Sequence, residues 1–308
     1  MIKQSQHVIQ SLFVHHFFLS VFRSILPDST HLEAEKSIFF LLYNFAAMNR
    51  IWVRISTSNY TEPNDIPPPI DNNEQAEQPD PTEVSREQRK ELSVLIGINI
   101  ARIASLKHLT IEMYKKLILP KIGKHVELCE DDIAQEFILQ TIVQAFPVEY
   151  HIQTIDTLFS LFNKVEQGVE LASIISQLLD RLLDYDFVEI DNETRKTVFL
   201  AFAKHIEGFF NIEGGLTLSD KIEILTKLLQ FSLKLNIKDI RNIKNLFKFA
   251  EYICDLSLGD QPISSQEAST SLASFIKCPF YTFVENDKKD KNTLELFYQI
   301  EDLSSLIK

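Results

Sequence analysis

Apolar residues recur along most of the chain at the spacing of an α-helix, and the clearest stretch is residues 131–162. One face of its first half carries the residues spaced every three or four positions: Ala134, Phe137, Ile138, Thr141, Ile142 and Ala145. The intervening polar residues are predicted to point away from that face: Gln135, Glu136, Gln140 and Gln144. Asp131 and Asp132 are placed as an N-cap and a first-turn acid, and Pro147 ends the helix.

A second helix follows at once, with Ile152, Ile155 and Phe162 on its apolar face. The turn between the two is so short that the helices are predicted to be antiparallel. Neither helix could bury its apolar face alone. The sequence therefore predicts helical hairpins that stack on one another.

The same periodicity predicts helices along the rest of the chain, at 4–26, from 30 to 56, and at 84–106, 110–128, 131–145, 149–165, 170–185, 192–210, 217–236, 238–256, 264–277 and 292–306. The spacing of these helices is irregular. The predicted fold is therefore all-α, an irregular HEAT-like α-solenoid of antiparallel helical hairpins.

The first two helices are predicted to bury one side each. In the first, the buried side is Leu12, Phe13, Phe17, Val21 and Ile25 or Leu26. In the second, it is Ile38, Leu41, Phe45, Met48, Trp52 and Ile55, widened on its flanks by Phe39, Leu42 and Tyr43. A surface this wide predicts that the second helix has neighbours on two sides.

Glycine and proline do little to interrupt these helices. The chain has 7 glycines, and 6 of its 11 prolines lie between Pro63 and Pro81. Residues 57–83 also hold seven acidic residues and no Lys or Arg, a composition that predicts a disordered acidic loop. The predicted organisation is a first helical hairpin at 1–56, the loop at 57–83, and a continuation of the same solenoid at 84–308.

Composition narrows the function classes. A formal charge of −12 argues against a nucleic-acid partner and against direct binding to anionic lipid, so any membrane contact is expected to be indirect. Three widely spaced cysteines favour reduced thiols in the cytosol. The best apolar run, 38–48, is too short to cross a bilayer, so we expect a soluble chain. No phosphate-binding, nucleophile or zinc-protease motif is present, and no cofactor is expected.

Two patterns are similar to metal-binding sites of enzymes, and each also has a simpler structural explanation. Asp131, Asp132 and Glu136 are spaced like the paired acids that hold magnesium in all-helical isoprenyl synthases, but capping of a helix explains the same residues. His125-x-Glu127-x-Cys129 is similar to half of a deaminase zinc site, without the paired cysteines that complete one. We expect no catalytic or metal-binding residue, and hence no enzyme.

A contact site for a partner is predicted on the second helix at Arg50, Trp52 and Arg54. Arg50 and Arg54 lie one turn apart on a single helix face. Trp52 and the aromatic residues near it are interpreted as core. A solvated face is the alternative reading of the two arginines.

Several strings resemble the retromer scaffold subunit, the vacuolar protein sorting 35 family, and they occur in the family's order: residues 12–13, 24–28, 44–54, 94–99, 134–147 and 151–154. The resemblance covers most of the chain. It implies an α-solenoid and a non-catalytic scaffold for retrograde transport of cargo receptors from endosomes to the Golgi, peripheral on endosomal membranes.

The implied partners are an arrestin-like subunit, sorting nexins, a small GTPase and cargo receptor tails. The family's Pro-Arg-Leu-Tyr-Leu-Leu docking motif for the arrestin-like subunit is absent from this sequence. The metallophosphoesterase-like subunit is not expected, because the resemblance ends before the family's C-terminal half. The chain is therefore expected to be a fragment, a truncated gene product or a divergent paralogue of the family protein. The alternative function is a generic HEAT or armadillo adaptor, such as a transport or phosphatase scaffold.

Overall fold

The computed structural model describes residues 8–22, 24–56, 86–188, 190–210, 216–237, 239–258 and 266–287. Every regular element in these ranges is helical. The helices are α1 (Val8–Phe22), α2 (His31–Ser56), α3 (Arg86–Ala104), α4 (Ile111–Met113), α5 (Leu119–Glu127), α6 (Asp132–Ala145), α7 (Val148–Gln153), α8 (Ile155–Phe162), α9 (Leu171–Asp184), α10 (Asn192–Phe210), α11 (Leu218–Leu235), α12 (Ile240–Leu258) and α13 (Gln266–Asp287).

Most helices begin and end within a few residues of their predicted bounds. α6 is capped by Asp131, whose carboxylate accepts the Ala134 N–H at 2.8 Å. α11 begins with a capping box in which Thr217 and Asp220 bond reciprocally. The predicted all-α class of stacked helices is confirmed.

The helix predicted at 110–128 contains a change of winding. Residues Tyr114–Ile118 form a π-helical turn between α4 and α5, and the Leu119 N–H bonds to the Tyr114 carbonyl. Pro120 follows directly and has no N–H to offer the carbonyl of Lys116. The wider turn is the expected adjustment to that missing donor.

Two other predicted helices have different limits. The helix predicted at 149–165 is two helices, α7 and α8, because Thr154 leaves helical geometry at φ −124° and ψ 21°. The helix predicted to end at Lys277 continues through Pro279 to Asp287. A proline such as Pro279 destabilises a helix interior by about 3 kcal/mol. The packing of α13 against α11 keeps the helix continuous despite this cost.

The predicted buried side of the first helix is wrong in part. Leu12 and Leu19 are buried, whereas Phe13, Phe17 and Val21 are exposed. α1 contains no charged residue, so no polar side marks which of its faces points outward. Contacts with α2 and α3 select a narrow seam that periodicity alone could not choose.

The predicted buried side of α2 is confirmed for all six of its residues, which are at most 9% exposed. Leu42 is buried as well. Phe39 and Tyr43, predicted to widen the buried surface, are exposed instead. α2 contacts α1, α3 and α5, and these contacts leave one side of the helix open.

The chain divides into two compact units. The first comprises Met1–Phe146 and Lys164–Val169, and the second comprises Pro147–Asn163 and Glu170–Lys308. In the first, α2 and α3 pack closely and α6 packs on α3 and α5. In the second, α11 is central and contacts α9, α10, α12 and α13.

Aromatic side chains fill the second unit around α11. Phe231 contacts Phe187, Phe199 and Phe202 with ring centroids 5.6–6.4 Å apart. Such pairs add stability beyond the area they bury.

Several predictions concern residues outside the described ranges or a relation between the two units. The loop at 57–83 and the helix at 292–306 lie outside the described residues. The antiparallel pairing of 131–145 with 149–165 crosses the division between the units. The domain bounds 1–56, 57–83 and 84–308 therefore stay predictions.

Candidate interaction site on the second helix

Trp52 lies in the core of the first unit and is fully buried. Its indole N–H donates to the Arg89 carbonyl at 3.1 Å, and the edge of its ring meets Phe137 at 5.8 Å between centroids. The interpretation of Trp52 as a core residue is confirmed. Trp52 therefore anchors α2 to α3 and α6.

A buried ion pair lies next to this tryptophan. Arg89 of α3 donates to Asp131, the residue before α6, at 2.7 Å, and the two side chains are 8% and 6% exposed. The Arg89 guanidinium also lies 5.9 Å from the centre of the Trp52 ring. Because Asp131 caps α6 with its other oxygen, one carboxylate fixes the start of α6 against α3.

A second polar tie joins the first three helices. Asn44 donates to the Asn99 side-chain carbonyl at 2.8 Å, and its own side-chain oxygen lies 2.8 Å from Nδ1 of His15. Asn99 also donates to the Ile96 carbonyl and to the Met48 sulfur. Buried amides satisfied in this way fix one register between neighbouring helices.

Gln135 forms a third tie, and it is buried although it lies beside the predicted apolar face rather than on it. The side chain is 1% exposed and donates to the carbonyls of Val126 and Cys129 at 2.9 and 2.6 Å. Its oxygen accepts the Glu166 N–H at 2.8 Å. One amide thus holds the α5–α6 turn and the segment 164–169. Sequence reasoning missed Gln135 and Arg89, because polar residues within amphipathic helices give no signal that they are buried.

The structure separates the three residues of the predicted partner site. Arg50 and Arg54 are on the exposed side of α2, whereas Trp52 points into the core. The Arg50 Nε donates to the Ala46 carbonyl of its own helix at 3.1 Å. Of the three residues of the predicted site, only the two arginines therefore lie on the surface, and Trp52 anchors the helix that carries them.

Arg50 belongs to a larger group of exposed residues, called here the basic surface: Phe39, Tyr43 and Arg50 of α2, and Lys121 and Lys124 of α5. The Lys121 ammonium lies 4.0 Å from the centre of the Phe39 ring. Half-buried His125 lies close enough to Arg50 and Lys124 to interact with their charges. Burial, then the charges of Arg50 and Lys124, lower the pKa of His125.

The three acidic residues weighed above as a magnesium site bond within the protein, Asp132 by accepting the Ile133 N–H at 2.8 Å. Asp131 is engaged by Arg89 and the α6 N-terminus, and Glu136 accepts from Gln140 at 3.2 Å. His125 packs edge-on against Phe45. Burial raises the pKa of Cys129 to about 11, so its thiol is protonated at neutral pH. Within the described ranges, no three His, Cys, Asp or Glu residues are grouped to hold a metal ion.

Helices that stack on their neighbours, with no strand among the described residues, place the chain in the class of all-α, solenoid-type proteins. The chain belongs to the vacuolar protein sorting-associated protein 35 family, whose sequence model matches residues 1–305. The predicted family is confirmed. No helix in the described part of the chain has both the length and the apolar character needed to cross a bilayer.

Individual relatives carry the same family name. The Dictyostelium discoideum protein is 27% identical over 74% of this chain and 28% of its own length. Protein 35B of Arabidopsis thaliana is 31% identical over 58% of this chain and 21% of its own length. The Schizosaccharomyces pombe protein is 32% identical over 61% of this chain and 21% of its own length. The chain matches less than a third of the length of each of these relatives.

Proposed function

We propose that the chain is a non-catalytic scaffold of the retromer complex that sorts cargo receptors from endosomes towards the Golgi. The observation that carries the proposal is the family match over residues 1–305. The relatives from a slime mould, a plant and a fission yeast are all named as vacuolar protein sorting proteins.

The geometry of the first unit suits a scaffold. The Arg89–Asp131 pair, the Asn44–Asn99 bond and the Gln135 contacts fix the helices against one another without using surface residues. The exposed positions on α2 and α5 then keep a constant spacing, so a partner need not order the helices on binding. A scaffold of this kind acts by presenting surfaces and requires no catalytic group.

The proposed partners are sorting nexins, a small GTPase and cargo receptor tails. The arrestin-like subunit is the weakest candidate, because the family's docking motif for it is absent from this sequence. Through these partners the chain would sit at the cytoplasmic face of endosomal membranes, without inserting into the bilayer itself. Arg50 and Arg54 are the proposed contact residues, and Trp52 supports them from the core. The family resemblance supports the partners, and the exposure of Arg50 and Arg54 on one side of α2 supports the contact residues.

Co-purification tests the proposal directly. The tagged chain is expressed in cells, captured, and probed for the retromer subunits and sorting nexins, with an unrelated helical-repeat chain of similar length and charge as control. We expect selective recovery of at least one of these partners. Recovery of nuclear transport factors or phosphatase subunits instead would favour the generic HEAT or armadillo adaptor. Recovery of neither a retromer subunit nor a sorting nexin would refute the proposal.

A further inference from the structure

The basic surface is formed by two helices that lie side by side in the first unit. Phe39, Tyr43 and Arg50 are spaced to share one face of α2, and Tyr43 is 65% exposed. Lys121 and Lys124 are three residues apart on α5 and share a face there. The Lys121 contact with Phe39 shows that the two faces are adjacent. The result is an open strip that combines aromatic rings with positive charge.

Within the described ranges, the positive charges of this strip, Arg50, Lys121 and Lys124, have no ion-paired carboxylate, although the chain carries a net charge of −12. Neighbouring lysines of the same unit do have such partners: Lys116 pairs with Glu112, and Lys164 with Glu127, both at 2.7 Å. Like charges left together repel one another, and an acidic ligand would relieve that repulsion.

The size of the ligand follows from the range of the electrostatic field. At physiological salt, charges more than about 8 Å apart are largely screened, so a short ligand responds only to the strip. A membrane or a nucleic-acid duplex extends over much more of the surface and meets the overall negative charge. The exposed rings of Phe39 and Tyr43 add apolar contact, which a simple inorganic anion could not use.

We propose that the basic surface is a docking site for a short peptide segment in which two or more acidic residues adjoin an apolar or aromatic residue. Arg50, Lys121 and Lys124 bind the carboxylates. The apolar residue lies against Phe39 and Tyr43. The proposal rests on the residues of the basic surface and is independent of the proposed role in protein sorting.

Fluorescence anisotropy tests the site with a labelled peptide that carries glutamates around one phenylalanine. The same peptide with glutamine in place of every glutamate is the ligand control. We expect saturable binding of the acidic peptide only, weakening as salt is added. The triple variant Arg50→Ala/Lys121→Ala/Lys124→Ala should bind about tenfold more weakly, since each exposed charge pair contributes a modest part of the affinity.

A matched variant separates local recognition from total charge. Lys196→Ala/Lys204→Ala/Lys277→Ala removes the same number of positive charges from exposed positions of the second unit. It should bind the peptide as the unmodified chain does. Equal weakening by both triple variants would overturn the proposal, as would failure of the unmodified chain to bind. Thermal unfolding of both variants checks that they fold.

His125 offers a readout that does not rely on substitution. Arg50 from α2 and Lys124 from α5 are the charges that act on its imidazole. Bound carboxylates would offset them, so NMR titration should show a higher pKa of His125 with the acidic peptide than without it. An unchanged His125 pKa at saturation would contradict docking at this strip. Binding of phosphatidylserine vesicles, lost in the Arg50 triple variant while the peptide fails to bind, would identify a membrane site and refute the peptide proposal.

Discussion

Replacement of Asp131 by alanine should be among the most damaging single changes to the first unit. It leaves the Arg89 guanidinium, whose side chain is 8% exposed, without its carboxylate. Breaking a buried pair by removing one partner costs about 3–5 kcal/mol. Loss of the cap on α6 adds about 1 kcal/mol. The sum, about 4–6 kcal/mol, is comparable with the whole stability of many domains.

Three further variants separate the two contributions. Asp131→Asn keeps an oxygen to cap Ala134 but presents an amide donor to Arg89, so it should cost nearly as much as the ion pair. Arg89→Met leaves a buried carboxylate without its cation and should also be costly. The double variant Arg89→Met/Asp131→Asn removes both charges and keeps the cap. It should be clearly more stable than the sum of the two single changes predicts.

Urea denaturation monitored by tryptophan fluorescence measures the free energy of unfolding of these variants. Trp52 is the chain's one tryptophan and lies against the Arg89 backbone, so its fluorescence reports on this part of the core. Far-UV circular dichroism on the same samples reports the helices of the whole chain. Additive costs in the double variant would show that the two charges are not coupled. A loss of about 1 kcal/mol or less in Asp131→Ala would leave helix capping as the whole role of Asp131.

Gln135→Ala should lower the free energy of unfolding by about 2 kcal/mol in urea denaturation, because the buried carbonyls of Val126 and Cys129 and the part-buried Glu166 N–H each lose a hydrogen bond; a loss equal to that of the exposed control Gln144→Ala would contradict this. Gly97→Ala places a methyl group 2.7 Å from the Phe137 ring, which packs on Trp52, so we expect a loss of about 1–3 kcal/mol and an altered Trp52 spectrum. A stabilised Gly97→Ala chain would show that the ring moves freely. The pKa of His125 is lowered from 6.5 in the folded chain, so the unfolded chain binds the proton more readily. The folded state should therefore lose stability as pH falls below 6.5, and His125→Gln, compared with the unmodified chain by urea denaturation at several pH values, should reduce that loss; an unchanged pH profile would refute the assignment.

Periodicity predicted most of the helices because it reports a local property, the repeat of apolar residues every three or four positions. The α2 stripe from Ile38 to Ile55 is fully buried, as predicted. The cap at Asp131 was equally readable, because its carboxylate acts on a backbone N–H within the next turn. The family was recognisable for a related reason. Long strings of matching residues can be identified in the sequence without knowing which residues they pack against.

Predictions failed where the outcome depends on distant parts of the chain. α1 carries no charged residue on any of its faces. Only its packing against neighbouring helices therefore decides that Leu19 is buried and Phe17 exposed. Thr154 interrupts a helix although nothing in its local pattern predicts a break. The helix through Pro279 shows the opposite case, in which packing overrides a residue that predicts an end.

The sequence by itself determined the helical class, most helix limits, the core stripe of α2 and membership of the family. Only the tertiary structure decided that Gln135 ties two segments, that Arg89 and Asp131 pair in the core, and that Lys121 lies beside Phe39. The physical reason is one of range. Helix formation and capping depend on residues within a few positions of one another. Burial and charge pairing depend on which helix surfaces meet, and the residues on two such surfaces can be far apart in the chain.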